Sequence, residues 1–440
     1  MTPDGPGPSD AGARADGPPP PGAGVEATGR GARALLCLAV ALAVAHAVVV
    51  GLRRNEGDLR VYHDTVGRLV AGLDLYQTRE GPDPARPTGF IYPLPFALVY
   101  APLTALPFPV VRVVWALLMG LLAVRCYVVG LRLTFPEGAA AWARAGRGRP
   151  LALAVALAAS LRFVLSDLQH GQVNVLVLWL ALEGVAAAAR GREGAAGAWL
   201  AGATLVKLTP GLLVAGEWAA GRRRLAAAAA GVGVVLAAIP ALVLGPRATV
   251  DATWRFVAEV TPWNARFHAW VGNNVSLTGL LHRLLVGEAD AGQAPAPMLL
   301  ALDPAVGRGV ALAASTLALA AALVLARRLA GPARPALLFA ATPLISPIAW
   351  KPHLVVVLLP ALVAARLALE DGRAAPRVLA ALAAACLLAG REVVGRDLAD
   401  AATRWGAPTL GLVLLAAALV VLGPRREAGP PAAGSGAPRP

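Results

Sequence analysis

Apolar runs long enough to cross a lipid bilayer recur along this chain, at residues 34–52, 110–133, 150–166, 173–189, 225–244, 306–326, 333–349, 354–369, 378–394 and 407–422. A hydrocarbon core about 30 Å thick takes about 20 helical residues to cross. Within it a helix satisfies its own backbone N–H and C=O groups, which no solvent can do there. The expected fold class is therefore an all-α polytopic membrane protein. The composition agrees: 57% of residues are hydrophobic, 15% are charged, and the mean hydropathy is +0.62. Soluble domains carry about a quarter charged residues.

Two stretches fit more than one reading. Residues 93–107 are apolar but short and broken by Pro93, Pro95, Pro102 and Pro107, which favours an interfacial or re-entrant segment. Residues 195–219 carry Lys207 in their middle, either as one helix with a buried lysine or as two half-spans meeting there. The arginine-bearing loops choose between them. The clusters at 30–33, 144–149, 190–192, 222–224, 327–334, 366–377 and 425–426 share the cytoplasmic side only if 93–107 does not cross and 195–219 crosses twice. About twelve spans follow, with both termini cytoplasmic; Arg391, Arg396 and Arg404 then fall outside, against the rule. The Pro/Gly-rich segments 1–33 and 424–440 read as disordered tails flanking a membrane domain at 34–423.

The net charge of +14 does not imply nucleic acid, because the arginines are spread over loops between apolar spans. Cys37, Cys126 and Cys386 all lie in apolar runs, so no disulfide framework is expected. No paired-histidine, cysteine-cluster or Asp-x-Asp spacing supports a metal, and no Gly-x-Ser-x-Gly supports a serine hydrolase.

Among forty basic residues only Lys207 and Lys351 are lysines, and both interrupt apolar runs beside a proline. A charge in hydrocarbon costs about 2.5–3.5 kcal/mol on insertion scales, so such a residue marks either a functional site or a side chain snorkelling to the headgroups. The expected topology brings both lysines to the outer face. With them come the loop holding Asp58 and Asp64, the turn Gln169–Asn174, the turn Asn273–Ser276, and His353.

Each of these residues has a structural reading beside the functional one. Leu59, Tyr62, Val66, Leu69, Val70 and Leu73 follow helical spacing, so Asp58 stands either as an N-cap or as a rigidly held catalytic carboxylate. Asp64 fits a solvated helix face or an alternative base. Gln172 and Asn174 supply the directional donors and acceptors that sugar hydroxyls need, or they cap a helix beside a tight turn at Gly171. Lys207, Lys351 and His353 could hold a lipid phosphate or lie at the interface. Asn274 and Ser276 could read hydroxyls and Arg283 a phosphate, or they form an Asn-rich turn ahead of a capped helix.

Seven ordered pieces carry a family resemblance. They are Asp58-Leu-Arg-Val-Tyr62, Gly72-Leu-Asp-Leu-Tyr76, Tyr92-Pro-Leu-Pro95, Gly171-Gln-Val-Asn174, Lys207-Leu-Thr-Pro210, Asn274-Val-Ser276, and Ser346-Pro-Ile-Ala-Trp350 with His353. In order and spacing the chain resembles the polytopic glycosyltransferases of the GT-C class, in particular glycosyltransferase family 87. That family includes polyprenyl-phosphate-mannose-dependent alpha-mannosyltransferases. The chain departs from the family pattern at Trp350-Lys351-Pro352-His353, where an acidic residue and a second histidine are expected, and at the spread-out Tyr92-Pro93-Leu94-Pro95.

The resemblance implies a GT-C-type fold with an external loop carrying juxtamembrane helices. It implies Asp58 as general base. Lys207 and His353, with Lys351 and Arg283, would lie near the donor phosphate. Asp64, Tyr62, Tyr92, Gln172, Asn174, Asn274 and Trp350 would serve sugar and acceptor. The expected activity is inverting transfer of a hexose, most simply mannose, from a polyprenyl-phosphate-sugar to an extracytoplasmic glycan or glycolipid. The lipid-linked sugar is a co-substrate, with no metal or other cofactor. The alternative is a transporter or flippase of a lipid-linked sugar, which needs the cations but no base.

Overall fold

The computed structural model describes residues 57–76, 89–268, 271–287 and 297–425, plus a few helical positions between 41 and 49. The expected tail 1–33, nearly all of the first span 34–52, and residues 426–440 lie outside the described residues. Among the described residues the chain is helical with no named strand; an isolated bridge joins Leu329 and Arg425.

Two short helices come first, α1 (Asp58–Val70) and α2 (Leu94–Tyr100), the latter tightening into a 3₁₀ turn at Ala101–Ala105. Then follow α3 (Phe108–Thr134), α4 (Ala139–Arg144), α5 (Arg149–His170), α6 (Asn174–Ala189), α7 (Glu193–Val206) and α8 (Gly211–Ala219). Next are α9 (Arg223–Leu244), α10 (Pro246–Arg255), α11 (Thr261–Phe267), α12 (Leu277–Leu285), α13 (Pro304–Arg328) and α14 (Ala333–Ile345). A 3₁₀ stretch, Lys351–Val357, leads into α15 (Leu358–Asp371). The chain ends with α16 (Ala374–Leu388), α17 (Arg391–Val394), α18 (Arg396–Arg404) and α19 (Ala407–Leu422).

Among the described residues five helices are long and apolar enough to cross a membrane: α3, α5, α9, α13 and the continuous Lys351–Asp371. A sixth arises if α18 and α19, bent by 63°, count as one broken span. The residues 173–189, 333–349 and 378–394, expected as spans, form shorter apolar helices, Asn174–Ala189, Ala333–Ile345 and Ala374–Leu388, which stop at Arg190, Ser346 and Ala389. The stretch 195–219 is two helices broken at Lys207. At 1.5 Å per residue, α7 with 14 residues reaches about 21 Å and α8 with 9 about 14 Å, so α8 does not cross a 30 Å core by itself. The segment 93–107 forms the short Leu94–Ala105 helix, and it is likewise too short for a straight crossing.

Charged contacts sort the loops into two ends. At one end Arg222 pairs with Glu193 at 3.0 Å and with Glu217 at 3.5 Å, and Arg334 reaches the same Glu217 at 3.3 Å. Nearby in chain order, Arg366 pairs with Glu370 and Glu137 and donates to the Thr134 carbonyl. The Trp142 indole donates to Glu370 at 3.0 Å. These contacts tie the arginine clusters into two groups, 190–192 with 222–224 and 327–334, and 144–149 with 366–377. Elsewhere Asp74 pairs with Arg255, and Arg391 with Asp400 at 2.9 Å; the charges of Arg391 and Asp400 reach Lys351, at the opposite end of the Lys351–Asp371 helix from Glu370.

Burial separates lipid-facing from central helices. Only 11% of the apolar window of α9 and 17% of that of α13 is buried inside the protein, against 61% for Lys351–Asp371. Val234, Val235, Leu242, Leu312 and Leu317 project from α9 and α13 without protein cover. Such surfaces suit hydrocarbon. The last helix passes through the middle, where Leu354, Leu358, Leu359 and Leu362 have no exposure.

Candidate active site

The site forms where the start of α1 meets the turn between α5 and α6. Gly171 ends α5 in the left-handed region at φ +64°, which is cheap only for glycine. A Cβ there would lie 2.7 Å from the Leu59 Cβ, and a Cβ on Gly57 would lie 3.0 Å from the His170 carbonyl oxygen. Two glycines thus let the two backbones touch. The contact sets Asp58 against Gln172.

Asp58 does not cap its helix. Gly57 occupies the N-cap position without a side-chain bond, and Asp58 is the first helical residue. Its carboxylate instead accepts a hydrogen bond from Gln172 Nε2 through Oδ2. Asn174 Nδ2 donates to Gln172 Oε1 at 2.5 Å and to Asp167 Oδ1 at 2.8 Å. Lys207 Nζ donates to Asn174 Oδ1 at 2.7 Å. The Lys207 ammonium also sits 5.7 Å from the centre of the Tyr92 ring, a cation–π distance. One continuous network therefore runs from Asp58 through Gln172 and Asn174 to Lys207, with Asp167 as a branch. Burial raises the Asp58 carboxyl above its ordinary 3.8; the Gln172 hydrogen bond and the charges of His170 and Lys207 oppose that rise.

Asp167 carries no signal in the motif reading, which ended its apolar run at residue 166. It is fully buried. Its Oδ2 accepts the Val175 N–H at 3.3 Å, so it, and not Asn174, satisfies the free N-terminus of α6.

His353 lies close enough to Lys207 for their charges to interact. Its Nδ1 accepts the Trp350 backbone N–H at 2.6 Å, so the neutral ring carries its proton on Nε2. The Trp350 ring stands edge-on to His268 at 5.1 Å and tilted to His353 at 5.8 Å, and its buried Nε1–H has no partner among the described residues.

The other expected site residues are placed differently. Tyr62 is 1% exposed and ringed by Phe90, Tyr92, Phe96, Tyr100 and Trp115, all but Tyr100 and Trp115 within the 89–96 segment. Its hydroxyl donates to the Tyr92 hydroxyl at 2.8 Å, so it braces Tyr92 beneath Lys207 and offers no face to a sugar. Asp64 pairs with Arg60 at 2.7 Å on a half-exposed helix face. Asn274 is saturated. It donates to the carbonyls of His268 and Pro347, both at 3.0 Å, and accepts the N–H groups of Ser276 and Ala349, both at 3.1 Å. With four bonds made, no donor or acceptor remains for a sugar; Asn274 ties the turn ahead of α12 to the segment leading to Trp350. Ser276 caps α12 by accepting the Gly279 N–H at 3.0 Å. Arg283 is buried and donates to the carbonyls of Asn274 and Arg404. Lys351 faces the charges of Arg162, Arg391, Glu392 and Asp400. Neither Arg283 nor Lys351 is joined to the Asp58 network among the described residues.

Residues 90–347 match the model of glycosyltransferase family 87. The chain belongs to glycosyltransferase family 87. No curated protein and no solved structure matches it. Within this family 87 member the matched stretch contains Gln172, Asn174 and Lys207, while Asp58 lies well before its start and His353 just after its end. The protein is thus a glycosyltransferase with membrane-crossing helices, and one continuous polar network in it joins a carboxylate to a lysine.

Proposed function

We propose that this protein transfers a hexose, most simply mannose, from a polyprenyl-phosphate-sugar donor to an extracytoplasmic glycan or glycolipid, with inversion at the anomeric carbon. The observation that carries the reading is the network that fixes Asp58 and Lys207 in one site. Such a transfer needs a base for the acceptor hydroxyl and a cation for the departing phosphate. Asp58 Oδ1, unbonded among the described residues, takes the acceptor proton. The acceptor oxygen forms its bond to the anomeric carbon from one face while the bond to the phosphate oxygen breaks on the other. Lys207 and the His353 Nε2–H meet the charge that develops on the polyprenyl phosphate, and the Trp350 Nε1–H supplies a further donor. Backside displacement gives the inverted linkage.

A membrane location for the reaction follows from the donor, whose isoprenoid tail stays in hydrocarbon while its head reaches the site end. The positive-inside rule, applied to the Arg222–Glu217–Arg334 end, supports a site facing outward. The test is a donor competition. Purified protein in lipid nanodiscs is given labelled polyprenyl-phosphate-mannose or polyprenyl-phosphate-arabinofuranose with a membrane glycolipid extract. Transfer from the mannose donor with an inverted product linkage is expected. Transfer from the arabinofuranose donor alone contradicts the sugar assignment; transfer only from nucleotide sugars contradicts the carrier.

A further inference from the structure

We propose that Asp167 is a positioning residue for the transfer: it fixes the direction of the two amides so that Gln172 donates to Asp58 and Asp58 Oδ1 is left as the proton-accepting atom. The proposal rests on the reading of Asp58 as base.

The direction of the amides is dictated by the groups at their ends. The Lys207 ammonium can only donate, so Asn174 must turn its Oδ1 toward it, at 2.7 Å. A carboxylate can only accept, so Asn174 must turn its Nδ2 toward Asp167, at 2.8 Å. The second hydrogen of that Nδ2 then meets Gln172 Oε1 at 2.5 Å, which leaves Gln172 Nε2 for Asp58. If either amide turns over, donor meets donor or acceptor meets acceptor. The polarity therefore runs one way, from Lys207 to Asp58, and Asp167 holds the branch point. It is anchored on the last turn of α5 and accepts the Val175 N–H of α6, so it spans the Gly171 turn that brings Gln172 to Asp58. A bond donated to the ionised form of Asp58 favours that form, which a base requires before it can take a proton.

The groups facing Asp58 are His170 on α5, Lys207 between α7 and α8, and the phenols of Tyr62 and Tyr92. Two simpler roles compete for Asp167: a counterion for Lys207, or a cap for α6. A swapped pair separates them. In Asp167→Asn with Asn174→Asp, one carboxylate still stands beside Lys207, and the new amide oxygen can still accept Val175 N–H. The direction of the relay is reversed.

The readout needs no substrate. Dicyclohexylcarbodiimide labels protonated carboxyl groups in apolar surroundings, and mass spectrometry of the peptide carrying Asp58 gives the pH midpoint of labelling. In nanodiscs, the swapped pair is expected to shift that midpoint upward, on the order of one pH unit, because the carboxylate put at position 174 cannot donate to Gln172 and Gln172 no longer donates to the Asp58 carboxylate. Asp167→Asn, in which Lys207 still orients Asn174, is the control for loss of the charge alone. Gln172→Leu sets the size of the full shift. With polyprenyl-phosphate-mannose as donor, the swapped pair is expected to lose kcat with donor KM little changed. A swapped pair with wild-type midpoint and kcat overturns the proposal and leaves Asp167 as counterion. Failure of both Asp167→Asn and the swapped pair to fold also overturns it and leaves Asp167 with a purely structural role. If wild-type protein transfers nothing from this donor, the donor assignment fails, and the labelling midpoint still decides the role of Asp167.

Discussion

Asp58 works under opposed pressures. Partial burial favours its neutral form, while the Gln172 hydrogen bond and the nearby His170 and Lys207 favour the ionised one. The balance holds its pKa above the ordinary 3.8, toward the pH at which a base operates best. Since the base must be ionised, kcat/KM is expected to rise with pH along an acidic limb centred above that of a free aspartate. Gln172→Leu removes a term that lowers the pKa, so it should move this limb further up; a limb that stays put contradicts the contact. Lys207→Met removes the cation proposed to meet the phosphate. Hydrogen bonds to charged groups are worth about 1.5–3 kcal/mol, so steady-state kinetics should show a loss of about tenfold to a hundredfold in kcat/KM for the donor.

Much of this site was legible because its residues interrupt apolar runs. Lys207, Gln172 and Asn174 stand out in hydrocarbon, and Asp58 opens an amphipathic helix. Asp167 was not, because it follows an apolar run by one residue and reads as the run's polar edge. Tyr62 and Asn274 were legible as positions and not as roles. Whether a tyrosine faces a sugar or five aromatic rings, and whether an amide has a free lone pair, depends on neighbours distant in sequence.

At the scale of elements, the break at Lys207 decides the site. The Leu208–Pro210 turn stops α7 where its last residues reach Asn174, and Pro210 starts α8 back toward the basic end. Sequence showed the interruption but not its depth, because hydropathy does not report helix length after the turn. The approach of α1 to α5 depends on Gly171. Gly171→Ala places a Cβ in the left-handed region, costing about 1–2 kcal/mol, and drives it into Leu59. Gly72→Ala meets the same backbone penalty at φ +77° with nothing within 4 Å. Thermal unfolding in detergent should fall for both. Only Gly171→Ala should also lose transfer, because it alone separates Asp58 from Gln172. Equal activity in the two variants contradicts the role given to this contact.

Across the whole molecule, the two ends carry different chemistry. Arginine–glutamate pairs tie the loops around residues 190, 220 and 334 together at one end, and the Asp58 network, Trp350 and His353 occupy the other. The loop charges in the sequence group the loops around 190, 220 and 334 on one side; among the described residues five helices, or six with the bent pair, are long and apolar enough to cross, and α8 is too short to cross by itself. Cysteines placed at Arg224 and at Asp397 should react with an impermeant maleimide on opposite sides of the membrane, Asp397→Cys in intact cells and Arg224→Cys only after lysis. The central claim is that Asp58 is the base of a transfer from a lipid-linked sugar. It is tested most directly by single-turnover transfer from polyprenyl-phosphate-mannose in nanodiscs, comparing wild type with Asp58→Asn of equal thermal stability. A loss of about a hundredfold or more in rate, with donor binding retained, is the predicted result. Wild-type turnover in Asp58→Asn contradicts it.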